Sequence, residues 1–219
     1  MFATSGTVSA LNTALSEDIV ETPPFSKQFR REIGFLFQNP DVQLFNSTVH
    51  EELAFGPLQL GFTEKETNQR IADTAHLVGV EHLLARSPAQ LSAGEKKLVA
   101  FAGLLTCAPK VLLLDEPTAG LDPRAQHWLA EFLIELRSNG VTLVIATHDL
   151  SFVFEVADRV LVLSEDHRLI ADGPVKTVLS DADLLLGANL IHEHVHRHGD
   201  SFHRHLHTHA GGHEHMHEE

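Results

Sequence analysis

Apolar positions along this chain fall into two patterns. Between residues 48 and 107 they recur at helical spacing. Two stretches there, Thr48-Val49-His50-Glu51 and Ser92-Ala93-Gly94-Glu95, set an acid three residues after a hydroxyl, the spacing of a capping box. From residue 110 the apolar residues come in short runs, unbroken in Val111 to Leu114. Val111 to Leu114, Val141 to Ala146 and Val160 to Leu163 read as buried strands. After the first, Asp122 can N-cap a helix with Pro123 at its first position. Trp128, Leu129, Phe132, Leu133 and Leu136 then share one helical face, and Gly140 ends it. Strands alternating with helices predict an α/β fold with a parallel sheet and right-handed crossovers. Earlier, Ile33 to Phe37 reads as another buried strand before a polar break at Gln38-Asn39-Pro40. Residues 6 to 20 read as short strands and turns, and 172 to 190 as an acidic helical stretch.

After Ile191 the pattern stops. The last 28 residues, HEHVHRHGDSFHRHLHTHAGGHEHMHEE, hold most of the chain's 17 histidines and almost no core-forming residues. A segment of that composition is expected to lack fixed structure without a ligand. The whole chain, at 219 residues, suffices for one α/β domain with an inserted subdomain. Its formal net charge of −14 argues against nucleic acid as a partner. Cys107 stands alone, so no disulfide framework forms within the chain. No apolar run approaches the roughly 18 residues a membrane span needs.

Chemistry gathers at the ends of the predicted strands. Val111 to Leu114 runs into two adjacent acids, Asp115 and Glu116. At the carboxyl end of a parallel strand, side chains face the crevice where α/β sheets bind ligands. An Asp there can hold Mg²⁺ through oxygen, and a Glu can accept a proton from an attacking water. Two acids closing a strand can equally be a solvated strand end. The stretch LSAGE, residues 91 to 95, offers helix-terminal N–H groups for a phosphate, with Gly94 allowing close approach. An ordinary capped helix has the same sequence. Gln38 and His148 each follow a predicted strand and fall on the same ligand edge, although a lone His there is more often structural.

Gln38, LSAGE, VLLLDEPTAGLD and Thr147-His148-Asp149 occur in one order. In that order and spacing, over roughly residues 4 to 190, the chain resembles the ATP-binding subunit of ATP-binding-cassette (ABC) transporters. The resemblance implies a core like that of the P-loop NTPases, with a mostly parallel sheet and an inserted helical subdomain, incomplete at the N-terminus. It divides the chain into a remnant of the core (1–38), a helical subdomain with the signature (39–107), the rest of the core (108–190) and a His-rich tail (191–219). ATP and Mg²⁺ are the implied cofactors. Ser92 and Gly94 lie in the family signature, usually LSGGQ, from which Ala93 and Glu95 depart. Asp115 matches the Asp that holds Mg²⁺, and Glu116 the catalytic Glu. Asp122 closes the Ala119-Gly120-Leu121-Asp122 loop that crosses the ATPase dimer. His148 matches the histidine that contacts the γ-phosphate, and Gln38 the glutamine that senses Mg²⁺ and the transmembrane partner.

A finer resemblance lies in FQNPDVQLFNSTVHEELAFGP, which looks like the stretch found in energy-coupling-factor importers of cobalt, nickel or vitamins. There a homo- or heterodimeric ATPase pair sits on the cytoplasmic face of the cell membrane. An integral coupling subunit and a substrate-binding subunit complete the complex. Two other readings stand beside it: a soluble cassette ATPase of DNA repair or translation, and a degenerate fragment without ATP hydrolysis of its own that mainly binds metal.

The chain contains no G-x-x-x-x-G-K-[ST] phosphate loop. In the family that loop precedes a segment ending in Ser-Gly and a strand, which Thr4-Ser5-Gly6-Thr7-Val8 resembles. The chain is therefore expected to begin just after the phosphate-loop helix and to hold ATP poorly by itself. Ser92 and Gly94 could still complete the site of a dimer partner.

The tail histidines alternate: His192, His194, His196 and His198; His203, His205, His207 and His209; His213, His215 and His217. Imidazoles in such number suit Ni²⁺, Co²⁺ or Zn²⁺. Together with the importer resemblance, they favour nickel or cobalt over a vitamin as cargo.

Overall fold

The computed structural model describes residues 5–198 and 201–208, the latter stretch and residues 192–198 as backbone. The chain forms two compact units, residues 1–146 and 147–219.

The first unit opens with a small antiparallel pair, β1 (Ser9–Ala10) and β2 (Thr13–Ala14), then two helices, α1 (Glu17–Glu21) and α2 (Phe25–Glu32). Strand β3 (Ile33–Leu36) leads into the helices α3 (Val49–Leu60), α4 (Glu64–Val78) and α5 (Ala93–Leu105). Strand β4 (Val111–Asp115), helix α6 (Pro123–Ser138) and strand β5 (Thr142–Ala146) complete it. The three longer strands form a parallel sheet in the order β3-β4-β5. Both expected capping boxes are present, and α4 carries a third, between Thr63 and Glu66. Its T-x-x-E spacing was equally visible in the sequence.

Apolar faces of the helices bury one another. Val49 and Leu53 of α3, Ile71 and Ala75 of α4, and Val99 and Ala102 of α5 form the centre of one core. Fully burying a Leu or Ile side chain contributes roughly 1.5–3 kcal/mol, so this cluster dominates the stability of the helical layer. Aromatic rings tie α5 to α6, with Phe101 edge-on to Phe132 and Phe132 stacked on Trp128 at 5.2 Å.

The sheet departs from expectation in one respect. Its strands were read as buried on both faces, yet only one face is covered. Leu36, Leu112 and Leu114 are buried, whereas Phe35 is 41% and Val144 55% exposed. Phe35, Leu113 and Val144 are register partners across the three strands. An unbroken apolar run shows that both faces are apolar; it does not show that both are covered.

The second unit contains α7 (Leu150–Val156), β6 (Arg159–Leu163), β7 (Leu169–Pro174), α8 (Val175–Leu179) and α9 (Ala182–Gly187). Val160 to Leu163 was expected to run parallel to the other strands. Instead β6 pairs antiparallel with β7 in a sheet of its own. The turn through Glu165 to His167 allows this, with Ser164 N–H donating to the Arg168 carbonyl at 2.8 Å. Val162, Val178 and Ala188 form a small second core.

Residues after Ile191 were expected to lack fixed structure. Their backbone forms an antiparallel pair, β8 (Ile191–His198) with β9 (Ser201–Thr208). In its register His192 opposes His207, His194 opposes His205 and His196 opposes His203. Strand alternation puts residues two apart on the same face, so the composition that excludes a core still permits a hairpin. His209, His213, His215 and His217 lie outside the described residues.

Candidate functional site

Strand β4 delivers Asp115 to its carboxyl end, where Asp115 partners Ala146 of β5 in the ladder. The next residue breaks the strand. Glu116 has φ 43°, a left-handed conformation unusual for a residue with a side chain. Its N–H donates to the Ala146 carbonyl at 2.9 Å. Its own carbonyl accepts from the Ala119 N–H at 3.1 Å and from the Lys97 ammonium at 2.9 Å. The chain then turns through Pro117 to Leu121, and Gln126 Nε2 donates to the Thr118 and Leu121 carbonyls. Asp122 caps α6, accepting from the Ala125 N–H at 2.8 Å.

The LSAGE stretch opens α5. Ser92 accepts from the Glu95 N–H, and the Glu95 carboxylate accepts from the Ser92 N–H at 2.7 Å. Hydrogen bonding to the carboxylate by the Ser92 backbone N–H, and next by the Ser92 side chain, holds the Glu95 carboxyl below its ordinary pKa, with the Arg86 guanidinium 3.4 Å away adding a smaller pull. Glu95 therefore stands in for the usual Gln as an acceptor in the cap. Gly94 needs no glycine for this chain's own packing, because a Cβ there would meet only the Gly120 carbonyl at 3.6 Å and Leu121 at 3.8 Å. Signature and acid-bearing loop are thus neighbours.

Gln38 is exposed, just beyond β3. Its carbonyl accepts from Lys97 Nζ at 2.8 Å, so a single ammonium joins the second residue after β3 to the residue after β4. Lys97 was not singled out from the sequence. A signal was there: Lys97 shares a helical face with Ala100 and Phe101, both buried. Asp41, two residues past Asn39, pairs with Lys96 at 2.6 Å.

His148 belongs to the second unit. It is exposed and directly precedes Asp149, which caps α7 by accepting from the Ser151 and Phe152 N–H groups at 3.1 Å. No cluster of three or more His, Cys, Asp or Glu side chains that could hold a metal occurs among the described residues. No described helix is long and apolar enough to cross a membrane.

At the carboxyl end of the parallel β3-β4-β5 sheet, a capped helix thus lies beside the loop that bears the adjacent Asp115-Glu116 pair. The solved structure of CbiO1 from Clostridium perfringens, described as part of the ABC transporter complex CbiONQ, superposes with a TM-score of 0.69 and 36% identity, over 85% of this chain and 73% of that one. A protein of Methanosarcina acetivorans named "Putative ABC transporter ATP-binding protein" is 50% identical over 202 residues, 91% of this chain and 73% of the relative. The nickel import ATP-binding protein NikO of Rhodobacter capsulatus is 44% identical over 193 residues, 87% of this chain and 76% of the relative. The family model described as "AAA domain, putative AbiEii toxin, Type IV TA system" matches residues 11–153. This chain belongs to the ATP-binding proteins of ABC transporters, a family of ATPases that includes energy-coupling-factor subunits.

Proposed function

We propose that this chain is the ATP-hydrolysing, energy-coupling subunit of an importer of nickel or cobalt ions. It works as one member of an ATPase pair at the cytoplasmic face of the membrane, beneath a coupling subunit and a substrate-binding subunit. The observation that carries the reading is the pairing of Asp115 with a conformationally fixed Glu116 at the end of β4.

The oxygen-donor chemistry of Asp115 fits Mg²⁺, a hard cation. Bound Mg²⁺ would neutralise charge on the ATP phosphates. Glu116 takes the proton from the attacking water, Gln38 reports the state of the site to the membrane subunit, and His148 contacts the γ-phosphate. Ser92 and Gly94 bind the phosphates of a nucleotide held by the dimer partner, and Asp122 closes the loop at the dimer interface. Gly94, which this chain's packing does not require, supports that role. Residues 39–107 form the helical subdomain, and residues 1–38 and 108–190 the ATPase core. The tail histidines, His192 through His217, bind Ni²⁺, Co²⁺ or Zn²⁺. The opposition of His192, His194 and His196 to His207, His205 and His203 supports this, because cross-strand partners lie roughly 4.5–5.5 Å apart at Cα.

The test is transport by the complex purified through this chain and placed in vesicles. ATP-dependent uptake of Ni²⁺ or Co²⁺ is expected. ATP hydrolysis without uptake of either ion contradicts the cargo, and purification without any membrane subunit contradicts the importer. Calorimetric titration with Ni²⁺, with and without residues 192–219, checks the tail; equal binding by both forms would remove it from the account.

A further inference from the structure

Lys97 is 2% exposed, and a lysine that deep is rare unless its charge is compensated. Its hydrogen-bond partners are two main-chain carbonyls, those of Gln38 and Glu116. Burial pulls its pKa below the ordinary lysine value, and the Asp115 and Glu116 carboxylates pull it back up. An apolar side chain of similar volume would fill the same space but would make neither of these hydrogen bonds. Packing therefore does not explain a lysine at this position.

The carbonyls it holds do. Glu116 sits in a left-handed conformation that is costly for a side-chain-bearing residue. Such a conformation persists only where its surroundings over-determine it. Here the Glu116 N–H is tied to Ala146 and its carbonyl to Ala119 and Lys97. Of these ties Lys97 is the one from a side chain; the N–H tie reaches the end of β5 at Ala146, and Lys97 adds a link to the segment after β3, at Gln38. Lys96 fastens the same loop at Asp41. Both lysines stand in the second turn of α5, whose first turn carries Ser92 and Gly94.

We propose that Lys97 is a positioning residue for ATP hydrolysis: through two main-chain carbonyls it fixes the direction of Glu116 and the loop bearing Gln38 relative to the signature helix. Lys97 acts through the main chain. Its effect reaches the reaction through the orientation of the Glu116 carboxylate, where a displacement of about 1 Å can lower turnover about 100-fold. The inference rests on the reading of Asp115 and Glu116 as the hydrolytic pair.

The test compares Lys97→Met, Lys97→Arg and Glu116→Gln with the unaltered protein, each in the complete transporter complex. Lys97→Met keeps the volume and removes the donors. Its kcat is expected to fall about 100-fold while KM for ATP stays within about twofold, the mark of an interaction that acts in the transition state. Amide exchange is expected to quicken at residues 116–119 and 37–41 and to stay unchanged in α3 and α4. Lys97→Arg, which keeps a cation with N–H donors, is expected to retain more turnover than Lys97→Met. Ordinary kcat in Lys97→Met, equal losses in both variants, or exchange that quickens evenly through α3 and α4 would overturn the positioning role. Where Lys97→Met does not fold, the exchange pattern and kcat of Lys97→Arg carry the test. Glu116→Gln separates the two levels: full turnover in that variant overturns the hydrolytic reading itself, whereas lost turnover there with ordinary kcat in Lys97→Met overturns Lys97 alone.

Discussion

The helical layer of α3 and α4 and the strand end at β4 both contain a buried charge that holds a loop by its main chain. In the helical layer Glu52 accepts from the N–H groups of Phe45 and Asn46 and from the Asn46 side chain, at 2.8–3.0 Å. At the strand end Lys97 donates to Gln38 and Glu116. The loops they hold differ. No residue from Phe45 to Leu60 has a left-handed backbone, and the apolar core lies directly behind Glu52. Lys97 holds a residue in a strained conformation, next to an acid and beside an exposed helix start. A buried charge over a core secures packing; one against a strained, half-buried residue at a strand end secures a direction. Changes in the helical layer should therefore cost stability and spare the turnover of folded molecules, and changes at the strand end should do the reverse.

The largest effect in the helical layer is expected from Leu53→Ala. Leu53 is fully buried at the centre of the core, and its truncation should lower unfolding free energy by about 2–5 kcal/mol in denaturant titration. ATP turnover per folded molecule should stay ordinary; a selective fall in kcat would break the comparison. Glu52→Ala comes next, at about 2–3 kcal/mol, because it leaves three donors without their charged acceptor. Thr67→Val should act in the opposite direction. The Thr67 hydroxyl is buried in α4 without a hydrogen-bond partner, so replacing it by a methyl should be neutral or raise stability by about 1 kcal/mol. A lower melting temperature would show that the hydroxyl is satisfied.

The smallest effect tests what the two regions share. Capping boxes close α4 with Glu66 and α5 with Glu95, and in both the hydrogen bonds to the capping residue hold the carboxyl below 4.5. For Glu66 the Thr63 side chain contributes most, and for Glu95 the Ser92 backbone. A depressed folded pKa means the stabilisation is present above the unfolded value and is lost as pH falls through the folded one. Stability should therefore be flat above pH 4.5 for these groups and decline below it. Glu66→Gln should flatten part of that decline in acid titrations followed by circular dichroism; an unchanged curve would remove the α4 box from the account.

Much of this was legible in the sequence, for identifiable reasons. Capping boxes at Thr48 and Ser92 depend on local spacing, and the strand before Asp115 on a run of four apolar residues, so both could be read directly. The motif order gave the family. Three things were not legible. The antiparallel turn of β6 onto β7 depends on which neighbour a strand meets, which periodicity does not encode. The open face bearing Phe35 and Val144 looks, in sequence, like a covered one. In sequence Lys97 reads as an ordinary helical lysine, which lies on the solvated side. Its burial follows from the helix phase set by Ala100 and Phe101, and its purpose from the backbone angle of a residue 19 positions away.

The most direct test of the central claim compares ATP binding with ATP hydrolysis in the Glu116→Gln variant of the assembled transporter. Removing the base should lower kcat by about 100-fold or more while Mg-ATP still binds and the complex stays folded. Turnover close to that of the unaltered complex would contradict the assignment of Glu116, and with it the account of why β4 ends as it does.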